Sequence, residues 1–376
     1  MASGTVPAAT TPQHSPLELI LRRAVDTGGS DLHLKAGLPP MIMLHGKVQP
    51  LAGLPALSPL QVEQVLLGGL PAEMAQRFLA TKELDTAITV PGVARFRVNV
   101  YRNQKTVGAV IRIISLVIRT IEDLALPSVI KRLALERQGL ILVTGPTGSG
   151  KTTTLAAIID YINSTTSGHI VTIEDPIEVV HPHKRCLITQ REVGDDTDSY
   201  TIALKAALRQ APNVILIGEM RDRETIELAL KAAETGHLVF STLHTNDSVQ
   251  TINRIINAFA PHEQEQIRIQ LGNVIKGCVS QRLVPRADGP GRVASLDLMI
   301  ATPSVRDAVL KGHVDQLYEL IANGGFDGMM SANQSLLNHL DAGVIDYPTA
   351  LSYSENKQDF ILISRNSARA MRERLG

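Results

Sequence analysis

The chain has 376 residues, enough for two or three domains, and 44% of them are hydrophobic, enough for a sizeable core. Its formal net charge is zero and aromatic residues make up 3%, which disfavours a protein held on nucleic acid by bulk charge or base stacking. Two cysteines without a CxxC pair exclude a disulfide framework and a four-cysteine zinc site. No signal-peptide pattern and no apolar run of about 18 to 20 residues is present, so we expect a cytoplasmic protein that meets a membrane only peripherally.

The first part of the chain predicts a small α+β domain over residues 17–114. Residues 1–16 are rich in Ala, Thr, Pro and Ser, which is typical of a flexible tail. Apolar spacing predicts helices, and alternation predicts strands of an antiparallel sheet. The predicted helices are 17–26 and 58–79, and the predicted strands are 30–34, 41–44, 94–102 and 108–114. A linker is expected over residues 115–125.

The second part, residues 126–376, predicts a parallel sheet covered by helices. Four short runs are apolar on both faces, as in strands that are buried on both sides. These runs are 139–144, 170–173, 214–217 and 238–242, with helical patterns at 151–163, 200–210 and 224–234. Alternation of strand and helix favours a doubly wound α/β domain, and after Val249 we expect mostly helices.

The segment from Gly145 to Thr152 reads G-x-x-x-x-G-K-[ST] between a predicted strand and a predicted helix, the context that this motif requires. Its glycines and the following helix N-terminus are suited to cradle phosphates. Lys151 is predicted to reach the β- and γ-phosphates of ATP, and the Thr152 hydroxyl to ligate Mg²⁺. A plain glycine-rich turn is the alternative. The predicted nucleotide-binding residues are Gly145, Pro146, Thr147, Gly148, Ser149, Gly150, Lys151, Thr152 and Thr153.

Two acidic segments, residues 172–178 and 215–222, each end a predicted buried strand. Ligands of open α/β sheets sit at the carboxyl ends of the strands, so we expect both segments at the phosphate end of the nucleotide. Glu178 is the candidate base that orients the attacking water. Glu219 stands at the Walker B position, where Asp is usual, and is a candidate to hold Mg²⁺ together with Thr152. Helix capping and ion pairing are the alternative roles.

Histidines supply further candidates. His244 follows the predicted strand 238–242, where it could sense the γ-phosphate; a purely structural role is the alternative. His181, His183 and Cys186 fit no standard zinc spacing, so a metal site there is disfavoured.

A group of four arginines lies on the alternating predicted strands of the first domain: Arg95, Arg97, Arg102 and Arg112. Arginine makes bidentate contacts to phosphate and can complete an NTPase site from a neighbouring subunit. A solvated sheet face is the alternative.

Together these segments resemble the type II/IV secretion ATPase superfamily, and more narrowly the PilT family of type IV pilus retraction ATPases, which act in twitching motility. The resemblance extends from Ser30-Asp31-Leu32-His33 to the C-terminal helices. It covers the phosphate loop, an aspartate box at 172–178, the Walker B segment at 215–222 and a histidine box at 236–246. It implies a PAS-like first domain, a RecA-like second domain with a helical C-terminal part, and a ring hexamer with ATP between subunits and domains.

The resemblance also implies individual roles. Glu178 would be the catalytic glutamate, Glu219 the Walker B acid and His244 the histidine-box residue, while Arg97 and Arg112 would contact the γ-phosphate across a subunit interface. The implied function is ATP hydrolysis that powers pilus retraction. The implied partners are further copies of the chain and an inner-membrane platform protein, with the ring docked at the cytoplasmic face; a paralogous retraction ATPase is a further candidate partner.

Three alternatives stay open. Pilus assembly and type II secretion ATPases share the core but usually carry a longer N-terminal region and a four-cysteine element, so the retraction branch is favoured. Residues 304–308 read Ser-Val-Arg-Asp-Ala where retraction ATPases carry Ala-Ile-Arg-Asn-Leu, a loose match. A RecA-like nucleic-acid translocase shares the fold, but the composition predicts no nucleic-acid partner. A non-catalytic ATP switch is disfavoured by the full set of candidate catalytic residues.

Overall fold

The structure is a computed structural model, and it describes residues 15–44, 47–114 and 117–367. The chain forms two compact units that divide between Val117 and Ile118. The predicted flexible tail, residues 1–16, lies outside the described residues except for its last two. In the described part of the chain, no helix is long and apolar enough to cross a membrane.

The first unit is a six-stranded antiparallel sheet with three helices. Its elements are α1 (Pro16–Asp26), β1 (Asp31–Leu34), β2 (Met41–Leu44), β3 (Lys47–Pro50), α2 (Pro59–Gly69), α3 (Ala72–Thr81), β4 (Glu83–Val90), β5 (Ala94–Asn103) and β6 (Thr106–Ile114). The strand order is β3-β2-β1-β6-β5-β4. Along β5 the buried side chains of Phe96, Val98 and Val100 alternate with polar ones, so one face of the sheet packs on the core.

The helix predicted over residues 58–79 is two helices, α2 and α3. They are separated at Leu70, whose backbone is extended (φ −92°, ψ 153°), and at Pro71. The residue before a proline is disfavoured in the α region, and proline itself has no N–H for a helical hydrogen bond. The proline at position 71 therefore indicated this helix break in the sequence. Strands β3 and β4 were not predicted; all four residues of β3 are exposed and give no apolar alternation.

The second unit is a seven-stranded sheet between helices. Its elements are α4 (Val129–Ala134), β7 (Gly139–Thr144), α5 (Lys151–Thr165), β8 (Gly168–Glu174), β9 (Cys186–Glu192), α6 (Tyr200–Ala207), β10 (Val214–Ile217), α7 (Arg223–Glu234), β11 (Leu238–Leu243), α8 (Ser248–Ile256), α9 (Gln264–Val274), β12 (Ile275–Pro285), β13 (Arg292–Ile300), α10 (Pro303–Lys311), α11 (Leu317–Asn323), α12 (Ala332–Asp341), α13 (Tyr347–Tyr353) and α14 (Lys357–Ile363).

The strand order of this sheet is β13-β12-β7-β11-β10-β8-β9, with all neighbours parallel except β12 and β13. Strands β7, β10 and β11 are buried at every position, which explains their unbroken apolar runs. Leu140 and Leu142 of β7 join one hydrophobic cluster, and Ile141 and Val143 join another. The helices therefore cover both faces of the sheet, as predicted.

The expectation of a mostly helical chain after Val249 was wrong for two strands. Helices α8 to α14 are present, but β12 and β13 lie between them and extend the sheet beside β7. Strand β12 is buried on both faces at Ser280 and Gln281, whose polar side chains have hydrogen-bond partners inside the unit. Because these residues interrupt the apolar pattern, no clear strand pattern is visible there in the sequence.

Candidate functional site

The segment between β7 and α5 is a tight loop that depends on glycine. Gly145, Gly148 and Gly150 have φ angles of 140°, 78° and 91°. A Cβ atom at Gly145 would lie 2.2 Å from the backbone oxygen of Gln281, so this position tolerates no side chain. A glycine-rich turn of this kind, directly before a helix N-terminus, is the geometry that binds phosphate groups through backbone N–H.

Lys151 opens helix α5 and bends back over this loop. Its Nζ donates hydrogen bonds to the backbone oxygens of Gly145 (2.8 Å) and Pro146 (3.1 Å). Burial lowers the pKa of Lys151, and the negative charges of Glu219 and Glu178 oppose that shift. The ammonium group is thus near both of the acids that the sequence singled out.

The strand register explains why these residues meet. Thr144, the last residue of β7, lies opposite Leu243, the last residue of β11. Ile217, the last residue of β10, lies opposite Ile173 on β8. The glycine-rich loop, the histidine segment and the two acidic segments therefore follow neighbouring parallel strands at one edge of the sheet.

Glu219 contacts two side chains that follow the same sheet edge. Its Oε1 lies 3.0 Å from Nε2 of His244, a contact that becomes an ion pair when the imidazole is protonated. Its Oε2 accepts a hydrogen bond of 2.6 Å from Nε of Arg221. The Glu219 side chain is 16% exposed and that of His244 is 46% exposed, so the imidazole is the accessible member of the pair.

The acidic segment after β8 contains two glutamates in different surroundings. Glu174 is buried; its Oε1 accepts hydrogen bonds from the Thr172 hydroxyl (2.6 Å) and the Gln190 amide (3.1 Å). Burial raises the pKa of Glu174. Glu178 is only partly buried, and within the described residues its carboxylate has no hydrogen-bond partner. Glu178 is therefore the glutamate of this segment that is available to a water molecule.

Tyr200, at the start of α6, is a site residue that the sequence analysis missed. Burial raises the pKa of its hydroxyl above the usual range, and the negative charges of Asp175 and Glu219 add to that shift. Its hydroxyl oxygen is 3.0 Å from the position that a Cβ atom on Gly218 would take. It was missed because, in the sequence, a tyrosine at the start of a helix has the same pattern as an aromatic residue that only packs in the core. Gln281, whose backbone oxygen lies against Gly145, was also not singled out from the sequence.

The two arginines singled out in the first unit are held by carboxylates of their own sheet. Arg97 donates from Nη2 and Nε to Asp85 (2.8 and 3.3 Å), and Nε of Arg112 donates to Asp31 (3.0 Å). Arg97 and Arg112 are direct partners across β5 and β6, so they share one face. Their side chains are 37% and 64% exposed, respectively.

Of the three residues considered above as metal ligands, two make structural hydrogen bonds through their side chains, His183 and Cys186. Burial lowers the pKa of His181 to about 4, which keeps it neutral. Nδ1 of His183 accepts a hydrogen bond from the backbone N–H of Ile188 (3.1 Å), and Sγ of Cys186 donates to the Thr166 oxygen (3.2 Å). Across residues 15–44, 47–114 and 117–367, no group of three or more His, Cys, Asp or Glu is placed to hold a metal ion.

Comparison with known proteins gives the class and the family. The family described as "Type II/IV secretion system protein" matches residues 94–317. The type IV pilus ATPase PilU of Pseudomonas aeruginosa is 43% identical over 92% of this chain and 90% of its own length. The type IV pilus retraction ATPase PilT of the same organism is 44% identical over 91% of this chain and 98% of its own length.

A solved structure agrees with these relatives. The crystal structure of the pilus retraction motor PilT with bound ADP is 42% identical, with a TM-score of 0.86, and covers 92% of this chain and 99% of that chain. The fold and the site therefore define a nucleotide-binding ATPase of the α/β class, and the predicted fold class is confirmed. The chain belongs to the type II/IV secretion system protein family, in the group that contains PilT and PilU.

Proposed function

We propose that the chain is a hexameric motor ATPase that powers type IV pilus retraction, docked through an inner-membrane platform protein on the cytoplasmic face of the membrane. The observation that carries this proposal is the match to the retraction motor PilT over nearly the full length of both chains. The similar identity to PilU, 43% against 44%, makes a paralogous retraction ATPase the second candidate for this chain and a further proposed partner in the same machine.

The glycine-rich loop fits the triphosphate of ATP. Residues 145–153 supply backbone N–H groups and the helix N-terminus, and Lys151 adds a positive charge that can leave its carbonyl partners for the β- and γ-phosphates. Thr152 and Glu219 are the residues that would hold Mg²⁺, directly or through water. They fit because Mg²⁺ on a nucleotide takes most of its ligands from phosphate and water and needs no cluster of protein carboxylates. When bound, the ion would neutralise charge on the phosphates.

Glu178 fits the role of the catalytic base. Its carboxylate lies near Lys151 and has no hydrogen-bond partner in the described part of the chain, so it can accept a proton from water. The water oxygen then forms a bond to the γ-phosphorus as the bond to the β-phosphate oxygen breaks, and ADP carries away the released electron pair. His244 and Glu219 contact each other, and that contact supports a shared role in sensing the γ-phosphate.

The arginines of the PAS-like domain, residues 17–114, complete the site of the RecA-like domain, residues 126–376, in a neighbouring subunit. We expect Arg97→Ala to lower kcat by roughly 10³-fold or more, the size of an arginine-finger contribution. Arg102→Ala is the matched control. Arg102 lies on the same strand, β5, but on the opposite face of the sheet from Arg97, and it contacts Glu63 and Phe78.

Mixing variants tests whether Arg97 acts between subunits. Arg97→Ala and Lys151→Ala subunits are each inactive alone, but random mixing places an intact loop against an intact arginine at about one interface in four. We therefore expect ATPase activity to reappear in mixed hexamers. Mixed rings of confirmed composition that stay inactive would show that the arginine serves its own subunit.

The retraction assignment is tested in the host. We expect deletion of the gene to increase the number of surface pili and abolish twitching, and a Glu178→Ala copy to leave that phenotype unrescued. Loss of pili after deletion would instead make the protein an assembly motor.

A further inference from the structure

Strand β12 places a buried glutamine against the phosphate loop. The residue, Gln281, is 2% exposed. Its Nε2 donates a hydrogen bond of 2.7 Å to the backbone oxygen of Ser149, and its Oε1 accepts one of 2.9 Å from the Thr154 hydroxyl. The amide nitrogen and the amide oxygen are therefore both hydrogen-bonded, the nitrogen to the loop and the oxygen to the first turn of α5.

These two contacts flank the residues proposed to bind phosphate. Ser149 precedes Lys151 by two positions and Thr154 follows it by three, so one amide joins the two sides of the lysine. Nε2 also lies 3.1 Å from the position that a Cβ atom on Gly150 would take, which shows how closely the amide packs under the loop. The neighbouring residue Ser280 adds a third contact, a hydroxyl pair of 2.7 Å with Thr144 at the end of β7.

Packing alone does not call for an amide at this place. A leucine fills a similar volume without the cost of removing a polar group from water. A buried amide with both ends bonded fixes one orientation of its partners, and its contacts are lost if either partner moves. The two hydrogen bonds of the amide therefore restrain the conformation of the loop, which a leucine of similar volume would not do.

We propose that Gln281 is a positioning residue for ATP hydrolysis. It holds the phosphate loop in the shape that presents Lys151 and Thr152 to the phosphates, and it acts through Ser149 and Thr154 without touching the nucleotide. This inference rests on the proposed nucleotide site, and it adds a residue 130 positions further along the chain than Lys151.

Three substitutions at two positions test the proposal. Gln281→Leu removes both contacts, and Thr154→Val removes one while keeping the shape of the side chain; Thr154→Ser keeps the hydroxyl. We expect Thr154→Val to raise the Kd for ATP roughly five- to tenfold, the size of one lost buried hydrogen bond. Gln281→Leu loses two hydrogen bonds and should raise the Kd at least as much, and both variants should raise KM. Thr154→Ser should retain the Kd of the unchanged protein.

The double variant gives the decisive readout. If the two residues act through one contact, the double variant Gln281→Leu with Thr154→Val raises the Kd little more than Gln281→Leu alone. A Kd increase equal to the product of the two single-variant increases would overturn the proposal. Asn163→Ala is the control for loss of a buried amide elsewhere, since Asn163 contacts Pro182, Lys184 and Cys186. It should lower the thermal midpoint and leave the Kd unchanged.

The outcomes separate this inference from the proposed function. An unchanged protein that binds no ATP would refute the nucleotide site itself. ATP binding by the unchanged protein, with Kd, KM and kcat the same in Gln281→Leu and only a lower thermal midpoint, would leave Gln281 a structural residue and overturn the inference alone. If Gln281→Leu fails to fold, the Thr154→Val and Thr154→Ser pair decides by the same criterion.

Discussion

We expect the replacement of Lys151 by alanine to remove nearly all ATP turnover of the purified protein. The ammonium group lies over the loop, bonded to the carbonyls of Gly145 and Pro146, and is the positive side chain best placed to meet the phosphates. A hydrogen bond to a charged group contributes about 1.5 to 3 kcal/mol, so we expect ATP affinity to fall about 10- to 100-fold. Loss of a preorganised contact to the developing charge should lower kcat by a further factor of about 10² to 10³.

Steady-state ATPase assays and titration with a fluorescent ATP analogue measure both effects. Lys205→Ala is the matched control, because Lys205 is an exposed lysine of the same unit that pairs with Glu224 on the surface. Its turnover should equal that of the unchanged protein. Normal binding and turnover in Lys151→Ala would refute the assignment of the phosphate loop.

Replacing Glu178 by glutamine or alanine separates binding from hydrolysis. The carboxylate lies near Lys151 but is not part of the loop that holds the phosphates. Removal of a general base lowers turnover by about 10²- to 10⁴-fold, and we expect ATP affinity to stay within a few-fold of normal. Single-turnover assays with pre-bound ATP detect this loss directly.

Glu174→Gln is the discriminating comparison for Glu178. Glu174 is buried and occupied by Thr172 and Gln190, so its replacement should lower the thermal midpoint more than it lowers turnover. Turnover lost in Glu174→Gln and retained in Glu178→Gln would move the base to Glu174.

Several features could be predicted from the sequence because their signals are local. The glycine-rich loop is a contiguous motif whose backbone conformation requires glycine, as at Gly145. Strands β7, β10 and β11 are buried on both faces and therefore read as unbroken apolar runs. The position of Glu219 and His244 at one sheet edge followed from the rule that parallel strands end together.

Other features depend on contacts between distant parts of the chain. Gln281 and Ser149 are 132 positions apart, and no local pattern marks a glutamine as the support of a loop. Strand β12 carries buried polar residues whose partners exist only in the folded unit, so its strand pattern was hidden. Which of two neighbouring glutamates is buried, Glu174 or Glu178, was likewise settled by packing rather than by residue type.

The carboxylate partners of Arg97 and Arg112 affect the binding of anions by the first unit. Asp85 and Asp31 are fixed in the same sheet, so each acts as a tethered competitor that is always present. An incoming anion gains only the difference between its own attraction and that of the carboxylate it displaces. Weak or singly charged anions gain little from this exchange, whereas a multiply charged group gains more. Because partly exposed ion pairs contribute only about 0 to 1 kcal/mol, the paired acids weaken the binding of singly charged anions more than that of multiply charged ones.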